Sequence, residues 1–270
     1  MQLVDYYLRY YKYSHAGWET IQSKVISETA VSLSVNGEIW LSFMCTPTHL
    51  EALAVGFLYN EGIIQSKSEL ASVQVCQSGE NVDVWLNHAA EKPTQWQRTS
   101  GCNGGITRAD PRPLVEVQPR PGNISPDVLL AAMDQLLQVQ SVYREARGIH
   151  CSALSDGKQV YLEAEDIGRH NTIDKIAGML FLKPVDISPK IILTTGRISS
   201  EMLMKASRLE VDVVLSRTSP TTRSIELAKP LGITLVGYAR RTQLFVYTHP
   251  ERLMSGEALR ALHPLDVLAG

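Results

Sequence analysis

The sequence predicts an α/β protein in which a smaller β-rich N-terminal domain (1–122) precedes a layered α/β domain (123–252) and a C-terminal tail (253–270). Three observations carry this prediction. The first third holds short runs of alternating apolar residues broken by turn dipeptides, the pattern of half-buried antiparallel strands. Ser125-Pro126 then opens a clean amphipathic helix and marks a domain start. From residue 149 onward strand-like and helix-like segments alternate, as a sheet with crossover helices requires.

Taken in order, Val31–Val35 and Glu38–Phe43 flank Asn36-Gly37, a dipeptide that supplies the two positive φ angles of a type I′ hairpin turn. Thr48 and Glu51 stand at capping-box spacing ahead of apolar Leu53, Ala54, Phe57 and Leu58, and Gly62 ends that helix, about 48–61. Residues 71–87 alternate around Gly79-Glu80-Asn81 and predict a second hairpin. Between Thr99 and Gly122 turn residues and Pro111, Pro113, Pro119 and Pro121 leave no period of 2 or 3.6, so this passage reads as loop. In the helix after Ser125, Leu129, Met133, Leu136 and Leu137 form one apolar face that runs on toward Gly148. A hairpin about Asp156-Gly157 follows, then a helix (171–182), a strand (190–194), a helix (199–209), a strand (211–215), a helix (221–230) and two strands (232–236 and 244–248).

With 270 residues, 44% of them hydrophobic and 20% charged, the chain can bury a core without disulfide staples. A formal charge of -2 lacks the basic footprint of a duplex-DNA binder and leaves room only for a local basic pocket. No apolar stretch is long enough for a bilayer, and the charged N-terminus is unlike a signal peptide, so the expected setting is the cytosol, with no membrane or nucleic-acid partner. The four cysteines, Cys45, Cys76, Cys102 and Cys151, show no C-x-x-C spacing and read as free thiols. No zinc site is expected from them.

Chemistry concentrates in four places. Cys102 sits in Ser100-Gly101-Cys102-Asn103-Gly104-Gly105, where small residues leave the sulfur uncovered and Arg98 and Arg108 favour the thiolate. A glycine-rich turn holding an incidental cysteine fits the same string. Cys45, Cys76 and Cys151 read as structural thiols. Glu163 to Lys175 packs Asp166, Arg169 and His170 where a strand hands over to a helix, the edge at which α/β sheets bind ligands. A carboxylate there could accept the paired N–H donors of a guanine edge, and His150 could approach it across the hairpin. The cluster reads as a site; a solvated helix N-terminus is the alternative. Thr194-Thr-Gly196-Arg197-Ile-Ser199 aims backbone N–H groups and Arg197 at an anion, and Ser219-Pro220-Thr221 repeats the device. Finally Gly237-Tyr238-Ala239-Arg240-Arg241-Thr242-Gln243 places paired arginines in a turn between two strands, suited to bidentate phosphate contact, and a solvated hairpin tip fits the same string.

These strings resemble the formate dehydrogenase accessory sulfurtransferases, the FdhD/NarQ family. The resemblance runs through Val35-Asn-Gly, Cys45-Thr-Pro, Gly56-Phe-Leu-x-x-Glu61-Gly62, Arg98-Thr-Ser-Gly-Cys102, Gly148-Ile-His150, Glu165-Asp-Ile-Gly-Arg-His-Asn171 with Asp174-Lys175, Gly196-Arg197, Lys205, Ser219-Pro-Thr221, Gly232-Ile-Thr-Leu-x-Gly237, Arg240 and Glu251-Arg252. It implies a cytidine deaminase-like α/β domain and a cytosolic sulfur carrier. A cysteine desulfurase would load Cys102 as a persulfide, and the sulfur would pass to a molybdenum cofactor with two pterin guanine dinucleotides, bound as substrate, before it enters formate dehydrogenase. The cofactor stretch would fall on Tyr238–Gln243, with GDP as a binding analogue and a homodimer as the assembly. One departure stands out: the family usually has a second cysteine three residues after the first, and here that position is Gly105. Either Cys102 transfers sulfur unaided, or the protein is a non-catalytic cofactor chaperone. Zinc deaminase chemistry does not fit, since His150 is followed by Cys and Ser and the Thr194–Arg197 turn has no thiol.

Overall fold

A computed structural model describes residues 7–94, 96–98, 106–108, 116 and 124–262. The chain divides into two compact units, one of Met1–Arg112, Val139–Cys151 and Ala164–Pro184, the other of Pro113–Gln138, Ser152–Glu163 and Val185–Gly270. The first break falls between Arg112 and Pro113, and the first unit takes back two later segments. Those segments carry the helices Ser141–Ala146 and Arg169–Leu182, whose packing partners come from early in the chain.

In the first unit β1 (Tyr7–Ser14) and β2 (Gly17–Lys24) form a two-stranded ribbon that the sequence reading missed. Its alternation is hidden because aromatic residues occupy both faces, and Tyr11, Tyr13 and Trp18 stay exposed. β3 (Thr29–Val35) and β4 (Glu38–Cys45) make the expected hairpin. Asn36 at φ 51° and Gly37 at φ 84° supply its turn. α1 (Leu50–Asn60) follows. β5 (Leu70–Val75) and β6 (Asn81–Leu86) then complete a four-stranded sheet in the order β4-β3-β6-β5, with β3 and β6 parallel. Val31, Leu33, Val35, Val82 and Val84 point into one core with Phe43 and Phe57, whose rings meet edge to face at 5.2 Å. α1 is buried on nearly every side, which is why it shows apolar residues all round rather than one stripe.

The predicted capping box at Thr48 and Glu51 does not form. His49 is the N-cap and adopts a left-handed conformation, while the Thr48 hydroxyl accepts from Lys175 Nζ at 3.1 Å. A buried ammonium outcompetes an end-cap for that oxygen because its own desolvation is costlier. Within the stretch read as loop, β7 (Trp96–Arg98) pairs antiparallel with β8 (Ile106–Arg108), Arg98 opposite Ile106. Three-residue strands are too short to show a period. Cys102 belongs to their connection, which lies outside the described residues.

α2 (Pro126–Val139) begins as expected, with Pro126 in the first turn and the Ser125 hydroxyl accepting from the Asp127 N–H at 3.2 Å. It stops at Gln140 instead of continuing, and α3 (Ser141–Ala146) is a separate helix. The break has a cause in the Glu165 carboxylate, which accepts from the Val142 and Tyr143 N–H groups and the Ser141 hydroxyl, capping a new start. β9 (His150–Ser155), β10 (Val160–Asp166) and α4 (Arg169–Leu182) come next. The second unit continues with β11 (Ile191–Thr194), α5 (Ser200–Arg208), β12 (Val213–Ser216), α6 (Thr222–Ala228), β13 (Thr234–Arg240) and β14 (Gln243–Val246). α7 (Gly256–Leu262) lies in the tail.

The sheet order is β10-β9-β11-β12-β13-β14. β11, β12 and β13 are parallel, β9 runs antiparallel to β11, and β14 runs antiparallel to β13. β11 and β12 are buried at every position, as strands covered on both faces should be. The β-rich first part and layered α/β second part match the predicted fold class. Among the described residues no helix is long and apolar enough to cross a membrane.

Candidate functional site

The parallel direction of β11, β12 and β13 gathers three turns at one sheet edge, the carboxyl edge where such sheets bind ligands. After β11, Thr194 accepts from the Gly196 N–H and the Ser152 hydroxyl, fixing the turn that exposes Arg197. After β12, the Ser216 hydroxyl donates to the Gly196 carbonyl at 2.7 Å and Arg217 is exposed. After β13, Arg240 pairs with Gln243 across the two-residue tip Arg241-Thr242. The Ser199 and Thr221 side chains cap α5 and α6 by accepting from the Met202 and Ser224 N–H groups, as the serine and threonine positions anticipated.

A cavity of about 470 Å³ opens beside the last turn, lined by Met133, Asp134 and Leu137 of α2, by Arg217 and by Ala239 through Gln243. Its size falls within the roughly 300–1,000 Å³ of small-molecule sites. Arg240 is held by its Nε, which donates to the Arg217 carbonyl at 3.4 Å. Tyr238 occupies a left-handed conformation at φ 51° where the β13–β14 register shifts, and its ring meets Phe245 edge to face at 5.5 Å. A bulky residue there is strained, and a bulge re-aims the chain that follows it. The predicted stretch thus contributes Ala239, Arg240, Arg241, Thr242 and Gln243 to the wall, while Tyr238 is not among the lining residues. Arg197 stands on the same sheet edge but not on the cavity wall.

The other predicted residues belong to the first unit and have a different character. Asp166 is fully buried. Its carboxylate meets Lys175 Nζ at 2.6 Å and accepts from the Thr46 and Gly168 N–H groups and the Asn171 amide. Lys175 also donates to the Thr46 and Glu165 carbonyls. Burial pushes the Asp166 carboxyl above the ordinary aspartate range, against the pull of the Lys175 ammonium and the donors around it. With its lone pairs spent internally, the carboxylate presents no acceptor to a guanine edge in this arrangement; it ties the start of α4 to the segment after β4. Arg169 and His170 are buried at the same helix start. Burial and the Arg169 guanidinium hold the half-buried His150 below the ordinary imidazole range, which places that strand histidine close to the cluster.

Among the thiols, Cys45 and Cys151 are buried, and burial pushes Cys45 up to about 12. Cys76 differs from the expectation only in position, lying outside the strand. It sits just past β5 in the hairpin turn, where its sulfur lies 3.3 Å from the Ser78 hydroxyl and accepts from the Asn81 N–H at 3.1 Å, and these bonds hold its pKa below the ordinary thiol value. The sequence reading also missed Arg217, Met133, Asp134 and Leu137. Arg217 follows a parallel strand as Arg197 does and was open to the same argument. Asp134 gave no signal, since a carboxylate on the outer side of an amphipathic helix is ordinary.

The second unit sets Arg217, Arg240 and Arg241 around a cleft at its parallel strand ends, a lining suited to the class of anionic, phosphate-bearing ligands. The comparisons narrow the class. Residues 26–254 match the FdhD/NarQ family, and the chain belongs to that family. A sulfur carrier protein FdhD of Staphylococcus aureus strain MRSA252 is 34% identical over 238 residues, covering 86% of this chain and 90% of the relative. Its counterpart in the bovine strain RF122 / ET3-1 is 33% identical over the same span. A proposed formate dehydrogenase accessory protein from Desulfotalea psychrophila, known as a crystal structure, has the same fold with a TM-score of 0.74 at 24% identity, covering 93% of this chain and 100% of that one.

Proposed function

We propose that this protein is a sulfur carrier serving formate dehydrogenase, with Cys102 as the carrying thiol and the arginine-lined cavity as the seat of a pterin guanine dinucleotide cofactor bound as substrate. The observation that carries the reading is the cavity itself: Arg217, Arg240 and Arg241 converge on a cleft of nucleotide size within a chain of the FdhD/NarQ family. Guanidinium forks suit diphosphate oxygens in geometry as well as charge. The names of the staphylococcal relatives supply the sulfur chemistry, and the Desulfotalea chain the dehydrogenase.

In loading, the Cys102 thiolate attacks the terminal sulfur of a cysteine desulfurase persulfide. An S–S bond forms at Cys102 while the desulfurase S–S bond breaks, and the desulfurase leaves as thiolate, so electrons balance without an added oxidant. In delivery the Cys102 S–S bond breaks, Cys102 returns as thiolate, and the transferred neutral sulfur becomes sulfide by taking two electrons from the acceptor metal centre. Gly105 means that the loop has no neighbouring thiol to close a disulfide on the persulfide, so the loaded form keeps its sulfur until an acceptor takes it. The same absence favours the second reading, a non-catalytic cofactor chaperone in which Cys102 is dispensable.

Incubation with a cysteine desulfurase and free cysteine, followed by alkylation and mass spectrometry, is expected to add one sulfur to the Cys102 peptide and none in Cys102→Ser. A loop peptide that gains no sulfur would leave the chaperone reading.

A further inference from the structure

We infer that Asp134 on α2 selects the guanine base, by accepting the ring N1–H and the exocyclic amino group on its two carboxylate oxygens. The inference rests on the preceding reading that a guanine nucleotide occupies this cavity.

Asp134 is the acidic side chain on a cavity wall that also carries Arg217, Arg240 and Arg241. Opposite charges around one cleft would be expected to pair, yet among the described residues the Asp134 carboxylate has no ion pair or hydrogen bond. It is exposed and shares the cavity wall with the three arginines without an ion pair to any of them. A ligand complementary to such a wall is anionic at one end and carries paired N–H donors at the other. A guanine diphosphate has that polarity. Of the common bases only guanine presents two adjacent donors in the bidentate geometry that a carboxylate accepts. Adenine offers an amino group beside an acceptor nitrogen, which the carboxylate repels.

The neighbours of Asp134 suit a base as well. Leu137 lies one turn further along α2, is half-buried and lines the same cavity, so it offers apolar surface to a planar ring, with the buried Met133 behind it. The phosphates then lie toward Arg240 and Arg241. The guanine-edge acceptor that the sequence reading looked for at Asp166 is thus supplied by a carboxylate in the second unit.

Calorimetry with GDP, IDP, XDP and ADP tests this on the full chain and on Asp134→Asn, Asp134→Ala and Arg240→Ala, each checked for folding by circular dichroism. The wild type is expected to prefer GDP over IDP and ADP by about tenfold or more, the worth of a hydrogen bond to a charged group. Asp134→Asn is expected to reverse the order of GDP and XDP, because a carboxamide can donate to the 2-carbonyl of xanthine. Asp134→Ala should lose the discrimination, and Arg240→Ala should weaken all four nucleotides together. If GDP binds and its preference survives in both Asp134 variants, the assignment of Asp134 is overturned while the cavity reading stands. If the wild type binds none of the four, the cavity reading fails and the inference with it.

Discussion

The Asp166 carboxylate and the Lys175 ammonium meet at 2.6 Å with neither side chain reaching solvent. Removing one partner strands the other charge in a low dielectric, which costs about 3–5 kcal/mol. Asp166→Asn and Lys175→Met are each expected to lower stability by that amount in urea titrations, and the double variant to lose less than the sum. A nucleotide-binding role for Asp166 would instead appear as lost GDP affinity at unchanged stability. His49 and His150 make a second residue-scale prediction. Burial lowers both below 6.5, with the Lys175 charge adding at His49 and the Arg169 charge at His150. The unfolded chain therefore takes protons that the folded chain refuses, so their contribution is intact above pH 6.5 and is lost as pH falls below it. Thermal unfolding between roughly pH 7 and pH 5.5 should show this fall, and His49→Asn with His150→Asn should flatten it. Thiol reactivity is a third. With its pKa lowered by the Ser78 hydroxyl and turn N–H groups, Cys76 should alkylate with iodoacetamide well before buried Cys45 and Cys151, as peptide mass spectrometry would record.

α1 and α4 cross where two glycines face each other's backbone. A Cβ on Gly56 would overlap the Asp174 carbonyl oxygen, and one on Gly178 the Ala52 carbonyl oxygen, so the pair sets how closely the helices approach. Nearby, the Asn60 amide donates to Asp174 at 2.7 Å. Either glycine changed to alanine must push the helices apart, at a cost above the 1–3 kcal/mol typical of overpacking, and a melting curve reads it directly. At this scale most of the fold was legible. Asn36-Gly37 specified its hairpin because its conformation has few alternatives, and Ser125-Pro126 and Ser199 marked helix starts for the same reason. What was illegible depended on partners distant in sequence. The Thr48 cap was lost to Lys175, the division of α2 from α3 was imposed by Glu165, and the β1–β2 ribbon escaped because its aromatics leave no polar face.

At the scale of the whole molecule, the predicted site residues fall into two groups that the sequence could not separate. The Arg240-Arg241 pair could be read as a candidate in advance, since paired arginines in a strand turn keep their chemistry wherever the turn goes, and both line the cavity. Asp166, Arg169 and His170 look the same in sequence whether a ligand or the protein interior takes their charges, and only burial decides. Asp134 enters the cavity solely because α2 lies against the β13–β14 turn within the second unit. The net charge of -2 makes the arginine cleft a local feature, so GDP affinity should fall as salt rises through the range in which the Debye length shrinks below about 10 Å. The central claim, that sulfur travels on Cys102 to the dehydrogenase, is tested most directly by following it. Wild-type protein loaded with labelled sulfur is expected to transfer the label to formate dehydrogenase and raise its activity, while Cys102→Ser does neither. Equal activation by Cys102→Ser, with no label passing through the protein, would contradict it.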